Sequence, residues 1–164
     1  MKILNADAEL LIQPEELKGI YQQIELAGRV SYKSENKIIE NSAEKFVNML
    51  IKNGHTSVLE HGTVYLYVPN NESFIDVLSP FIQKYINNPY SILHSDKAGF
   101  YITTNLRVII DNHWETDLKY IVSPQDKHER RYTVKFICSR GIANEFIRHR
   151  KFSFTQESTR QWRH

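Results

Sequence analysis

The spacing of apolar residues along the chain predicts two helices near its start. Apolar residues recur every three or four positions over 14–27, which predicts a first helix with Pro14 at a first helical position. The same spacing predicts a second helix over 42–53, with Asn41 as its N-terminal cap and Gly54 as its end. The chain therefore opens with two amphipathic helices.

Two short segments rich in β-branched and aromatic residues predict strands. They cover 63–68 and 132–139, and we expect these strands to be neighbours. The pair 140–141 is expected to break the second strand, and apolar spacing then predicts a helix over 142–150. The polar segment 151–160 predicts a loop.

The middle of the chain has no single dominant pattern. We treat 69–131 as an insertion, with helices predicted at 72–87, 105–112 and 115–121. The order of elements indicates an α+β fold, in which helices pack on a small sheet. A length of 164 residues fits one domain over 1–164.

Composition excludes several classes of protein. Hydrophobic residues make up 41% and charged residues 24%, which is typical of a folded domain. No run of about 18 apolar residues exists, so we expect no membrane-spanning helix. The first residues lack the apolar stretch of a signal peptide, so we expect a cytoplasmic protein. The single cysteine, Cys138, excludes an intramolecular disulfide, and we expect it to be a buried thiol and not a nucleophile.

The charge is distributed unevenly. Residues 1–126 carry 11 Lys and Arg against 16 Asp and Glu, whereas residues 127–164 carry 10 against 3. A basic end of this kind suits an anionic ligand, although a solvated basic surface has the same composition. A nucleic-acid-binding module is a further alternative. We expect no nucleic acid, because the aromatic residues there match neither common recognition pattern.

Two clusters of polar residues are candidates for chemistry. Residues 148–160 combine arginine, lysine, hydroxyl and amide groups, which are the donors that bind phosphate, although a basic helix end is the structural alternative. Residues 54–62 contain His55 and His61, but no third ligand at metal-binding spacing, so we expect no metal.

Three stretches in order resemble the flavin-dependent thymidylate synthase family. The residues of 148–160 fit that family's RHRxxSxxxxSxR pattern. Upstream, 54–61 (GHTSVLEH) is similar to its GHxSxxEH segment, and 29–32 is similar to its RVSY stretch. Because the three matches occur in the expected order, we identify the chain as a member of this family.

The resemblance implies a reaction and its partners. The family methylates dUMP to dTMP, taking a methylene group from methylenetetrahydrofolate and a hydride from FAD that NADPH has reduced. Its members use no cysteine nucleophile and work as homotetramers with shared active sites. They normally continue for several tens of residues past the motif, so we expect this chain to lack the C-terminal region. A catalytically inactive remnant that binds FAD or nucleotide is therefore the alternative.

The resemblance also implies roles for individual residues. The implied catalytic residues are Ser158, beside the pyrimidine, and His55, near flavin and folate. The implied FAD-binding residues are Ser57, Arg148, His149, Arg150, Lys151 and Gln156. The implied dUMP-binding residues are Glu145, Arg148, Gln156, Glu157, Ser158, Thr159 and Arg160, the last on the phosphate.

Two of these positions depart from the family pattern. Gln156 stands where many members have Glu, so a carboxylate role is replaced by amide hydrogen bonding. Glu145 replaces a common Gln, which puts a negative charge beside an anionic ligand unless it pairs with Arg148 three residues on.

Overall fold

A computed structural model describes residues 5–70, 75–149 and 151–157, with the backbone alone for 75–79. The helices are α1 Glu16–Ser31, α2 Ser42–Lys52, α3 Ile75–Ile86, α4 Leu106–Asp111 and α5 Arg140–Phe146. The strands are β1 Asp7–Leu11, β2 Thr63–Pro69, β3 Ile92–Ser95, β4 Gly99–Asn105 and β5 Thr133–Ile137. Short 3-10 helices cover Glu35–Lys37, Thr56–His61 and Glu115–Tyr120. These elements confirm the α+β class.

The strands form two antiparallel sheets. The larger has the order β2-β4-β3, and the smaller pairs β1 with β5. The prediction that the strands near 63–68 and 132–139 are neighbours is therefore wrong. Strand β4, which pairs along the whole of β2 from Thr63↔Asn105 to Pro69↔Gly99, was not foreseen. It lies buried on both faces, so it lacks the alternation that reveals a half-exposed strand.

The core lies between α1, α2 and the larger sheet. Ile24, Val47 and Leu66 are fully buried in it. The segment 69–131, expected as an insertion, supplies α3, α4, β3 and β4, with Tyr85 and other core residues. This segment is thus part of the body of the fold, and it can position groups at the site.

The ends of α2 differ in how well they were predicted. Asn41 has a left-handed backbone with φ of 61° and makes no capping hydrogen bond, so its predicted role is wrong. The hydroxyl of Ser42 instead accepts a hydrogen bond from the Ile39 N–H at 3.1 Å. Gly54 ends the helix as predicted, because its φ of 68° suits glycine and the next N–H, that of His55, returns to the Leu50 carbonyl at 2.9 Å.

Helix α5 starts and ends earlier than predicted. Residues 140–141 form its first turn and do not break the structure, because the Ser139 side chain caps the helix by accepting from the Ile142 N–H at 3.4 Å. The helix ends at Phe146, so Arg148 follows it.

Other predictions in the second half were closer. The helices expected at 72–87 and 105–112 correspond to α3 and α4, and the one at 115–121 is a 3-10 helix. Cys138 follows β5 and is half-buried, so it lies just outside the regular part of the predicted strand. Among the described residues, no helix is both long and apolar enough to cross a membrane.

Candidate active site

The 3-10 helix Thr56–His61 is fixed between α2 and β2 by its apolar side. Leu59 is fully buried, and the carbonyl of Gly62 accepts a hydrogen bond from the Leu106 N–H at 2.9 Å. Glu60 and His61 are only partly covered. The buried side of this 3-10 helix therefore fixes the positions of the Glu60 and His61 side chains.

Every second side chain of the segment 153–157 contacts residues of the upstream motifs or their neighbours. The Ser153 hydroxyl donates to Glu60 Oε2 at 2.6 Å, and the Thr155 hydroxyl contacts His61 Nε2 at 2.7 Å. Glu157 forms an ion pair with Lys33. Because alternate side chains of an extended segment point the same way, residues 153, 155 and 157 share one side.

These contacts bring the three motifs together. Lys33 directly follows the stretch 29–32, Glu60 and His61 end the stretch 54–61, and Ser153 belongs to the motif that starts at Arg148. Residues far apart in the sequence thus lie together in the structure.

The surroundings of His61 favour the neutral form of its imidazole. Burial lowers the pKa of the imidazole, and the neighbouring carboxylate of Glu60 only partly opposes this effect. A neutral ring can both donate and accept, so the Thr155 contact persists in either direction.

A groove of about 790 Å³ opens beside this site, between the end of α1 and α2. Its lining includes Arg29, Tyr32, Lys37, Lys45, Phe46 and His55. The combination of cationic groups with apolar and aromatic surface suits an anionic ligand that carries rings.

Arg29 is the most firmly placed cation of the groove. Its guanidinium bonds to one oxygen of the buried Glu25 through two nitrogens, at 2.7 and 2.8 Å, and stacks on the Phe46 ring at 4.7 Å. The second Glu25 oxygen accepts from Ser42 at 2.8 Å, which ties α1 to α2. By contrast, Lys37 and Lys45 form no ion pair within the described residues, so their charges remain available to a ligand.

The structure places the predicted site residues in three settings. His55 and Ser57 are exposed on or beside the 3-10 helix, and His55 lines the groove. The remaining described candidates, all exposed, are Glu145, Arg148, His149, Lys151, Gln156 and Glu157. Outside the described residues lie Arg150, Ser158, Thr159 and Arg160.

Residues 148–160 form the basic motif, and its described members have defined neighbours. Glu145 pairs with Arg148 at 3.2 Å, as expected from their spacing. His149 has its ring centroid 6.4 Å from that of Phe152. Within the described part of the chain, His55 makes no hydrogen bond or ion pair with Arg148 or His149, so the structure joins the motifs through 153–157 and not through these three.

Sequence reasoning missed two residues of the site. Lys33 follows the quoted RVSY stretch directly, so its position was a usable signal. Arg107, which pairs with Glu60, comes from α4, and no motif marks it. In the ranges described, no three His, Cys, Asp or Glu side chains come together as a metal site.

The fold and the site together define an α+β protein whose candidate site gathers cationic groups for anionic ligands. A family model described as Thymidylate synthase complementing protein matches residues 15–74. The match covers 60 of the 164 residues, so this part of the chain is similar to that family. The matched part contains α1, α2 and the first two motif stretches, whereas the basic motif lies beyond it. Comparisons with curated proteins and with solved structures give no significant match.

Proposed function

We propose that this protein is a flavin-dependent thymidylate synthase, which methylates dUMP reductively to dTMP. The methylene donor is methylenetetrahydrofolate, and NADPH reduces the FAD. The observation that carries the proposal is the docking of the basic motif through Ser153 and Thr155 onto the stretch 54–61, and through Glu157 onto Lys33, which follows the stretch 29–32. The similarity of residues 15–74 to the thymidylate synthase complementing proteins supports it. The proposed substrates are metabolites of the cytoplasm, and we propose that the protein acts there.

The groove between α1 and α2 fits FAD by the chemistry of its lining. Lys37 and Lys45 offer cations for a diphosphate, and the exposed Tyr32 offers surface for rings. His55 at the groove and Ser57 nearby add polar groups. When bound, FAD supplies the hydride that the reaction needs.

The basic motif has the donors for both FAD and dUMP. Arg148, His149, Arg150, Lys151 and Gln156 are the proposed flavin contacts; Arg148 and Gln156 also belong to the dUMP set, with Glu145, Glu157, Ser158, Thr159 and Arg160. The Glu145–Arg148 pair answers the departure noted above, because Arg148 neutralises the extra carboxylate and lowers its repulsion of the nucleotide phosphate.

The protein's own groups act chiefly by binding and orientation. Arg160 holds the dUMP phosphate, and Ser158 lies beside the reacting ring in this proposal. His55, at the groove, orients the flavin against the nucleotide. Bringing the rings together in a fixed geometry removes much of the entropic cost of the reaction.

The exposed apolar face of the smaller sheet supports self-association. On this face, Leu10 lies opposite Val134, and Phe136 stacks on Phe146 of α5 with ring centroids 4.9 Å apart. These side chains are between 37% and 51% exposed, whereas Lys135 points to the other face. A two-stranded sheet is only marginally stable without cover. We propose that further copies of the chain cover it, in a homotetramer with shared active sites.

The size of the assembly tests the self-association directly. Sedimentation velocity of the protein is expected to show a tetramer, and Phe136→Lys is expected to shift it to smaller species. Lys135→Gln, on the opposite face of the same strand, is the matched control. A monomer at all concentrations would contradict the proposal.

Flavin binding and turnover test the function in two stages. The purified protein is expected to carry flavin absorbance or to bind added FAD. Tritium release from labelled dUMP, with FAD, NADPH and methylenetetrahydrofolate, then reports turnover. Binding without release favours the alternative, an inactive FAD- or nucleotide-binding remnant. Absence of any flavin binding refutes the synthase, and absence of both flavin and dUMP binding refutes the remnant as well.

A further inference from the structure

The carboxylate of Glu60 is bound from two different parts of the chain. Arg107 Nη1 pairs with Oε1, and the Ser153 hydroxyl donates to Oε2 at 2.6 Å. Arg107 belongs to α4, outside the motif stretches and outside the family match over 15–74. Glu60 therefore connects an arginine of α4 to the basic motif.

A second carboxylate fixes the direction of Arg107. Its Nε bonds to Asp111 Oδ2 at 3.0 Å, one helical turn further along α4. The guanidinium thus lies between Asp111 and Glu60, and its hydrogen bonds to both raise the pKa of an already permanent cation. A guanidinium that bonds to two carboxylates is held in one orientation more firmly than one in a single exposed ion pair.

The pair lies at the wall of a second cavity, of about 210 Å³, that also contains motif residues. Its lining includes Glu60, Arg107, Lys151, Phe152 and Ser153. Lys151 is the motif cation in this cavity. With Arg107 in place, its charge is shared between Glu60 and Asp111 and weakens the attraction of Glu60 for Lys151; without Arg107, Glu60 attracts Lys151 more strongly.

We propose that Arg107 is a positioning residue for the basic motif and acts through Glu60. It holds the Glu60 carboxylate where Ser153 binds it, and so keeps the segment 151–157 docked with Lys151 turned to the ligand. The docking is a property of the chain alone, whereas its effect on FAD rests on the proposed function.

Limited trypsin digestion of the native protein measures the docking without any ligand. Arg107→Gln is expected to speed cleavage after Lys151 roughly two- to fivefold, as loss of a half-exposed ion pair allows. Arg130→Gln removes an exposed arginine that donates to the Pro124 carbonyl and has no contact with Glu60 among the described residues; it is the matched control, expected to leave the rate unchanged. An unchanged rate in Arg107→Gln overturns the proposal.

A second substitution separates action through Glu60 from a general loss of stability. In the Arg107→Gln background, Glu60→Gln removes the unpaired charge but keeps an acceptor for Ser153, so the cleavage rate is expected to return toward that of the parent. No recovery overturns the proposed route. If Arg107→Gln fails to fold, Ser153→Ala cuts the same connection from the other end and must speed the same cleavage.

FAD titration then links the docking to function. Arg107→Gln is expected to weaken FAD binding by a similar factor of about two to five, with recovery by Glu60→Gln. Tight binding that is unaffected by Arg107→Gln contradicts the effect on the ligand. If the parent protein binds no FAD, the proposed function fails, while the cleavage experiment still decides whether Arg107 positions the motif.

Discussion

His128 makes the folded protein sensitive to acid. Its ring is only 4% exposed, and it is held by hydrogen bonds at both nitrogens. Nδ1 accepts from the Gln125 N–H at 3.0 Å, so Nε2 carries the proton and donates to the Leu66 carbonyl at 3.0 Å. Tyr65 and Tyr101 present T-shaped ring contacts to it. Protonation of Nδ1 would break the Gln125 bond and charge a buried ring.

The sign and the size of the effect follow from this geometry. Burial lowers the pKa of His128, and the nearby Arg130 lowers it further. Below a pH of about 6.5, the ordinary pKa of histidine, His128 is protonated in the unfolded chain but stays neutral in the folded chain until the pH is lower. The free energy of unfolding therefore falls as pH falls, by at most about 1.4 kcal/mol per pH unit for this residue. His61, whose pKa is also lowered by burial, adds an effect of the same sign.

Urea unfolding between pH 7.5 and 5.5 measures this effect. At pH 7.5, His128→Gln is expected to be less stable than the parent by about 1–3 kcal/mol, because two hydrogen bonds are altered. The difference in stability is expected to narrow as pH falls, because only the parent has a titratable side chain at position 128. His113→Asn, at an exposed position with φ of 59°, is the control and should keep the parent's pH dependence. A stability difference that stays constant with pH would refute the reasoning.

Three further predictions concern the core and the ligands. Tyr85→Phe removes a buried 2.7 Å hydrogen bond to Asp117 and is expected to cost about 1.5–3 kcal/mol in urea unfolding; no loss would contradict this. Gly62→Ala places a methyl group 2.5 Å from an α1 side chain. It is expected to lower the free energy of unfolding by about 1–3 kcal/mol, which a lower melting temperature would show. Arg150→Ala should weaken FAD more than dUMP, and Arg160→Ala should weaken dUMP by about 1.5–3 kcal/mol; equal, small changes in titrations of both would refute these roles.

The parts of the fold that could be predicted are those with a clear periodic pattern. Helices α1 and α2 bury one stripe and expose the other, and β2 is a compact run of β-branched and aromatic residues. Strand β4 could not be found this way, because Tyr101 to Asn105 are all buried, polar Thr103 and Thr104 included. The pairing of strands depends on such residues, so it could not be predicted either.

The candidate site also has parts that could be predicted from the sequence and parts that could not. The sequence patterns identified the three motif stretches, and the structure shows contacts of Glu60 with Ser153 and of His61 with Thr155. The contribution of Arg107 depends on how α4 packs beside the 3-10 helix, which no local pattern encodes. Residues that act through tertiary packing are therefore the ones that sequence reasoning misses.

The pairing of β1 with β5 has a consequence for the order of folding. It joins residues near 10 to residues near 134, whereas β3 and β4 are close neighbours in sequence. Closing so long a loop costs much chain entropy, so this ladder forms late, after the local sheet. The arginine-rich stretch follows β5, so it reaches its place only when the rest is assembled. Docking of residues 153–157 on the 3-10 helix is then one of the last contacts to form.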